Sequence, residues 1–230
     1  AYVISHFANH ALGNVSLGAM DDGLYYHAVF WKSWPMTIVL YGSVAIHLGL
    51  GIWALYARRH FRWTGVELTQ LVFGLSIPVF IISHVIGVRL AASLFGHEKD
   101  YPQVFFAYWV YRPEMQWSMY AVLLVSWIHG CIGIYFWVRG KPYFKKIASL
   151  LLALAVILPT VSMLGLYQAS RTVQVASTAP EWRAEILSRE KIGTPAEQVT
   201  LEQISSYTLY GYFGLIGLAL VARGVRALLE

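Results

Sequence analysis

Residues 36–57 read MTIVLYGSVAIHLGLGIWALYA, an apolar run broken by one ionisable ring, His47, and closed by Arg58-Arg59. A helix of about 20 such residues spans the roughly 30 Å hydrocarbon core of a bilayer. An ionisable side chain held there is costly and marks function by default. The pattern recurs on either side along the chain. His84 lies in the apolar stretch 67–95, His129 in 115–138, and both His6 and His10 in the first stretch, 1–16. Four successive apolar segments therefore each offer at least one imidazole.

Outward from these segments, composition fixes the class. The 230 residues are 57% hydrophobic and only 13% charged, too few charges to cover a soluble domain of this size. Windows of about 20 residues give six spans: Ala1–Ser16, Met36–Ala57, Glu67–Phe95, Met115–Val138, Ile147–Gln168 and Ser205–Ala222. The first is short, as a clipped start would leave it, and shows no basic leader of a cleavable signal. Pro78 and Pro159 fall inside spans, where membrane helices tolerate them with a kink. The fold expected is all-α: a polytopic membrane protein of six transmembrane helices containing a four-helix haem-binding bundle. Residues 1–168 form that bundle with span five, 169–204 an extracytoplasmic cap, and 205–230 the last helix. Within the cap, Ala179–Lys191 and Thr194–Gln203 read as short helices. Residues 17–35 mix aromatic and polar side chains, as a segment lying at the interface does.

Charge placement sets the orientation. Arg58, Arg59, Arg62, Arg139, Lys141, Lys145, Lys146, Arg223 and Arg226 follow spans two, four and six, opposed only by Glu67 and Glu230. The other side carries ten acids against seven bases, with Arg89 inside span three. The positive-inside rule puts the basic side, and both termini, in the cytoplasm. The net charge of +5 is thus a topology signal and implies no nucleic-acid partner. A single cysteine, Cys131, excludes a disulfide framework and a Cys-based metal site.

Four intramembrane histidines on separate helices suit iron porphyrin, which takes two neutral imidazoles from opposite sides. The macrocycle also needs small neighbours. His47 is followed four positions later by Gly51 and His129 by Gly133, each on the same helix face; Gly87 follows His84, and Gly13 follows His10, at three. These four are the expected haem-packing glycines. Arg89 stands toward the outer end, placed for haem propionates. Depth then sorts the ligands. His47 precedes Arg58 by 11 residues and His129 precedes Arg139 by 10, about 15 Å at 1.5 Å per residue. His84 lies 17 residues beyond Glu67, about 25 Å from the same edge. His47 therefore pairs with His129, and His84 with a span-one ligand, His6 or His10, which spacing leaves equal. His27, His60 and His97 read as solvated, and the tryptophans as interfacial belt or packing. An isolated membrane histidine is ordinarily an interhelical hydrogen bond; paired depths with adjacent glycines argue for haem.

HLGLGIWALY from His47, SHVIGVRLAASLFG from Ser83 and HGCIGIYFW from His129 resemble the dihaem cytochrome b anchors of the succinate dehydrogenase and fumarate reductase family. The resemblance covers spans one to four. It implies His47, His84 and His129 as axial ligands with His6 or His10 as the fourth, first helix pairing with third and second with fourth. It further implies two haem b groups and membrane quinone as redox partner, with the quinone site unassigned. Those anchors commonly have five helices or fewer. The six-span plan, NHALG at Asn9–Gly13 and WIHGCIG at Trp127–Gly133 are more similar to the anchors fused to class III adenylate cyclases. That likeness implies a redox-sensing regulatory domain in a bacterial inner membrane, a cytosolic cyclase after the C-terminus, and a homodimer. The chain itself shows no nucleophile–base pair or phosphate loop. Two other functions compete: a cytochrome b subunit of a succinate dehydrogenase/fumarate reductase-like respiratory complex, and a haem-free transporter or proton channel relaying through the histidines.

Overall fold

A computed structural model describes residues 1–60, 62–188 and 192–229. Among these the chain is helical, without a strand. Helix α1 (Tyr2–Ala11) runs into a 3₁₀ turn at Leu12–Asn14. The Ser16 hydroxyl then accepts the Ala19 N–H at 2.9 Å and starts α2 (Leu17–Trp31). Pro35 in its first turn suits the start of α3 (Trp34–Ala57). Thr64 and Glu67 form a reciprocal capping box at the start of α4 (Gly65–Val85). A π-helical turn, Ile86–Leu90, carries α4 into α5 (Ala91–Phe95), which ends at Gly96 with φ 74°. There glycine avoids the steric cost of the left-handed region. Helix α6 (Tyr101–Phe105) passes into a second π turn, Phe106–Tyr111. Then follow α7 (Gln116–Val138), α8 (Phe144–Ala176), α9 (Pro180–Ile186) and α10 (Pro195–Leu229).

Five helical segments are long and apolar enough to cross a membrane: Trp34–Ala57, Gly65–Phe95, Pro113–Val138, Phe144–Ala176 and Pro195–Leu229. The protein is a helical membrane protein on that ground. The first apolar stretch is different. Its ten-residue helix α1 covers only about 15 Å, half of a hydrocarbon core. Helix α2 folds back along α1, with His27 against His6 and Trp31 against Tyr2.

The cap is also smaller than hydropathy suggested. Residues 169–176 continue α8 and 195–204 begin α10; among the described residues between them, α9 stands as a separate helix. Of the helix expected over Ala179–Lys191, the segment Pro180–Ile186 is helical, while residues 189–191 lie outside the described residues, as does Glu230.

Packing is uneven. Helix α4 packs most extensively on α7, α1 and its 3₁₀ turn on α8, and α3 on α10. The largest buried cluster joins Phe7, Met20, Phe105, Trp109, Leu123 and Val173. The α1–α8 crossing brings backbones together at Gly13 and Gly165, where a Cβ on either would collide with the facing main chain. Ser162 Oγ donates to Phe7 O at 2.8 Å and Asn14 Nδ2 to Val161 O at 2.7 Å, fixing the same crossing.

Candidate functional site

Toward the end of the molecule that carries the basic loops, His47 of α3 faces His129 of α7. Their ring centroids are 5.9 Å apart and their planes nearly perpendicular, at 80°. Neither α3 nor α7 has the other as its main packing partner: α3 leans on α10, α7 on α4. A cleft of about 450 Å³ opens between them, lined by both imidazoles, Gln70, Gly130, Gly133, Ile134 and Trp137. The His129 ring is held on its far side. Its Nδ1 lies 2.9 Å from the Gln70 carbonyl, the bond that fixes one tautomer and leaves Nε2 with its lone pair available. The ring seats against Gly74, where a Cβ would come within 2.6 Å of Cε1. Gln70 Oε1 is buried with no hydrogen-bond partner among the described residues.

Two imidazoles bound to one iron from opposite sides, with metal–nitrogen bonds of about 2 Å, hold their centroids about 6 Å apart. The His47–His129 pair fits that spacing. Around it, a Cβ at Gly51 would meet nothing within 4 Å, and one at Gly133 only Gln70 Nε2 at 3.4 Å. The two histidines that spacing sets at one depth thus lie near each other in the fold.

The second group gathers at the other end. His6 and His10 have centroids 4.3 Å apart, His27 lies 5.4 Å from His6, and His84 is within electrostatic reach of both α1 histidines. The two α1 rings are not equivalent. Tyr101 Oη lies 3.1 Å from His10 Nδ1, and Asn9 Nδ2 donates to the same hydroxyl at 2.8 Å. His6 Nδ1 and His84 Nδ1 are buried and unpartnered. Burial pushes the Tyr101 phenol pKa above its usual value, so it stays a neutral hydroxyl. His84 opens onto the π turn at Ile86–Leu90, a distortion found disproportionately at functional sites. Gly87 within the turn has no atom within 4 Å of a built Cβ. Arg89 donates to Thr37 Oγ1 at 3.2 Å, and Lys99 donates to Gly87 O at 2.7 Å.

Three expectations change. Gly13 is spent on the Gly165 crossing with α8 rather than lining space beside His10, because α1 crosses α8 there at backbone distance. His27 is half-buried rather than solvated: it packs against His6 across the α1–α2 reversal, and its Nε2 is buried without a partner among the described residues. His97 pairs with Glu197 at 3.2 Å, since α10 begins ten residues earlier than its apolar part and brings Glu197 alongside. His60 is exposed, as expected.

Gln70 and Gly74 went unrecognised in the sequence. Their signal was an amide and a glycine four residues apart, sharing one face of an apolar span. Among the described residues no group of three or more His, Cys, Asp or Glu is placed to hold a bare metal ion. Comparisons with protein-family models, curated proteins and solved structures find no match for this chain.

Proposed function

We propose that the chain is a dihaem b-type cytochrome anchor. His47 and His129 would hold one haem, and His84 with an α1 histidine the other; the bound pair would supply electron exchange with membrane quinone. The observation that carries this reading is the facing His47–His129 pair, 5.9 Å apart across a cleft, with the second nitrogen of His129 already engaged. Donor chemistry, spacing and the open glycine at 51 all suit iron porphyrin. For the other haem, the hydroxyl at His10 Nδ1 favours His10 over His6, by the same logic that applies at His129. The Arg89 guanidinium has five donors, of which the Thr37 bond uses one, so it retains the capacity to meet a propionate.

Haem supplies a one-electron Fe(III)/Fe(II) couple whose potential follows its axial ligands, hydrogen bonds and burial. The protein's part is to orient imidazoles, exclude water and tie the ligand-bearing helices to the rest. In this proposal the membrane is a bacterial inner membrane with both termini on its cytoplasmic side, an orientation that the basic helix ends support. Coupling to a cytosolic cyclase after α10, in a homodimer, is the sensor form of the proposal.

One feature favours a sensor over a respiratory subunit. Arg223 of α10 donates to the carbonyls of Arg58 and Arg59 at the end of α3, so the helix that carries His47 is fastened to the helix that leaves the domain. Replacing His47 or His129 with alanine is expected to remove one haem of two, and His84→Ala the other. Loss of neither band in the absorption spectrum would overturn the ligand assignment. Haem bands that no quinol reduces would remove quinone from the proposal.

A further inference from the structure

The cleft contains a detail that goes past ligand identity and rests on the dihaem reading. His129 is held by two contacts from α4, one turn apart. The Gln70 carbonyl meets Nδ1 at 2.9 Å. The bare Cα of Gly74 lies under the ring, where a Cβ would stand 2.6 Å from Cε1, 2.9 Å from Nδ1 and 3.6 Å from Nε2. The first contact fixes rotation of the ring, because turning it about its own axis breaks the hydrogen bond. The second fixes its depth, because only a residue without a side chain lets it sit so close. Helices α4 and α7 form the most extensively packed pair in the molecule, and close-packed elements yield little to an inserted methyl. With α7 unable to retreat, a side chain at 74 moves the ring instead.

We propose that Gly74 and the Gln70 main chain are positioning residues for His129. They set its plane across that of His47, so that the haem between them is held by near-perpendicular imidazoles. Ring orientation reaches the iron directly. With crossed axial planes the two upper iron d orbitals that overlap the ligands stay nearly equal in energy, and ferric low-spin haem then gives one strongly anisotropic low-field EPR line. Parallel planes split those orbitals and give a resolved rhombic spectrum. Axial-ligand orientation is thus a lever that the protein holds through α4.

A rival account exists for the glycine. Pro78 follows Gly74 by four residues, and its ring crowds the carbonyl at that position in a helix. Gly74 would then serve the kink and nothing else.

EPR of the oxidised protein, read together with haem content, separates these accounts. His84→Ala protein isolates the inner haem for assignment. Gly214→Ala on α10, where a Cβ meets nothing within 4 Å, controls for loss of a helix glycine. The proposal expects the inner haem of the wild type to give the single anisotropic line. In Gly74→Ala that line is lost or turns rhombic while the outer haem is retained, and Gly214→Ala matches the wild type. An unchanged inner-haem line in Gly74→Ala would overturn the proposal in favour of the kink. So would a rhombic inner-haem signal in the wild type, a result that stands even if Gly74→Ala fails to accumulate. Wild type with two haems and either of those results refutes only the positioning role; wild type without haem refutes the dihaem reading itself.

Discussion

What distinguishes one buried histidine from another is the group that engages its second ring nitrogen. His129 has the Gln70 carbonyl, and of the two α1 histidines His10 has the Tyr101 hydroxyl whereas His6 Nδ1 has no partner among the described residues. His10→Ala is therefore expected to abolish the outer haem and His6→Ala to retain it, measured as haem per chain. Tyr101→Phe leaves the ring of His10 without its partner and is expected to weaken outer-haem retention by about 10- to 100-fold, followed by transfer of haem to an excess of an apo-haem acceptor. The pH dependence has a definite sign. Burial raises the Tyr101 pKa, so the neutral phenol persists as pH passes the usual tyrosine value of about 10; the outer-haem spectrum should stay constant through that region. At this scale the sequence disclosed the residues that are expensive in hydrocarbon: His47, His84 and His129. It concealed Gly74, because a glycine in an apolar span acquires its role only from the ring packed on it, which arrives from a helix 40 or more residues away.

Helix ends and helix partners obey local chemistry that hydropathy does not register. Apolar windows placed the last span at 205–222, yet α10 starts at Pro195. There Thr194 Oγ1 accepts the Glu197 N–H at 3.3 Å, and the Glu197 carboxylate takes the Thr194 N–H at 2.7 Å. Thr-Pro-Ala-Glu is a legible start signal, but the polar stretch after it masks the continuity of the helix into the apolar span. Thr194→Ala should cost about 1 kcal/mol, seen as a lower thermal midpoint in detergent. Once α10 is continuous it meets the rest of the molecule along its length: Glu197 with His97, Glu202 with Arg112, Tyr212 Oη donating to Leu75 O at 2.7 Å, and Arg223 with the end of α3. Arg223→Met, which removes charge-assisted bonds worth about 1.5–3 kcal/mol each, is expected to loosen α10 from α3 and increase hydrogen exchange over residues 55–59 without removing either haem. Unchanged exchange there would show that α3 is held by other contacts.

Across the whole molecule, α4 and α7 pack directly, while the other two helices that carry proposed ligands reach that pair through third helices: α1 through α8, α3 through α10. The α1–α8 joint depends on Gly13 and Gly165 meeting at backbone distance; Gly165→Ala should destabilise the protein by about 1–3 kcal/mol through overpacking, read by thermal unfolding, and release the outer haem first. Membrane class and the approximate positions of five of the six expected spans were legible in composition, because they depend on apolar runs along single helices. The outer cluster was legible only in part: the reversal that brings His27 inward depends on how α2 packs on α1, which no periodicity records. The most direct test is the haem-to-protein ratio of the purified chain, from its reduced-minus-oxidised and pyridine haemochrome spectra. The account predicts two haem b per chain, falling to one in His47→Ala; a protein that purifies colourless, with no Soret band after expression in haem-replete cells, would contradict it.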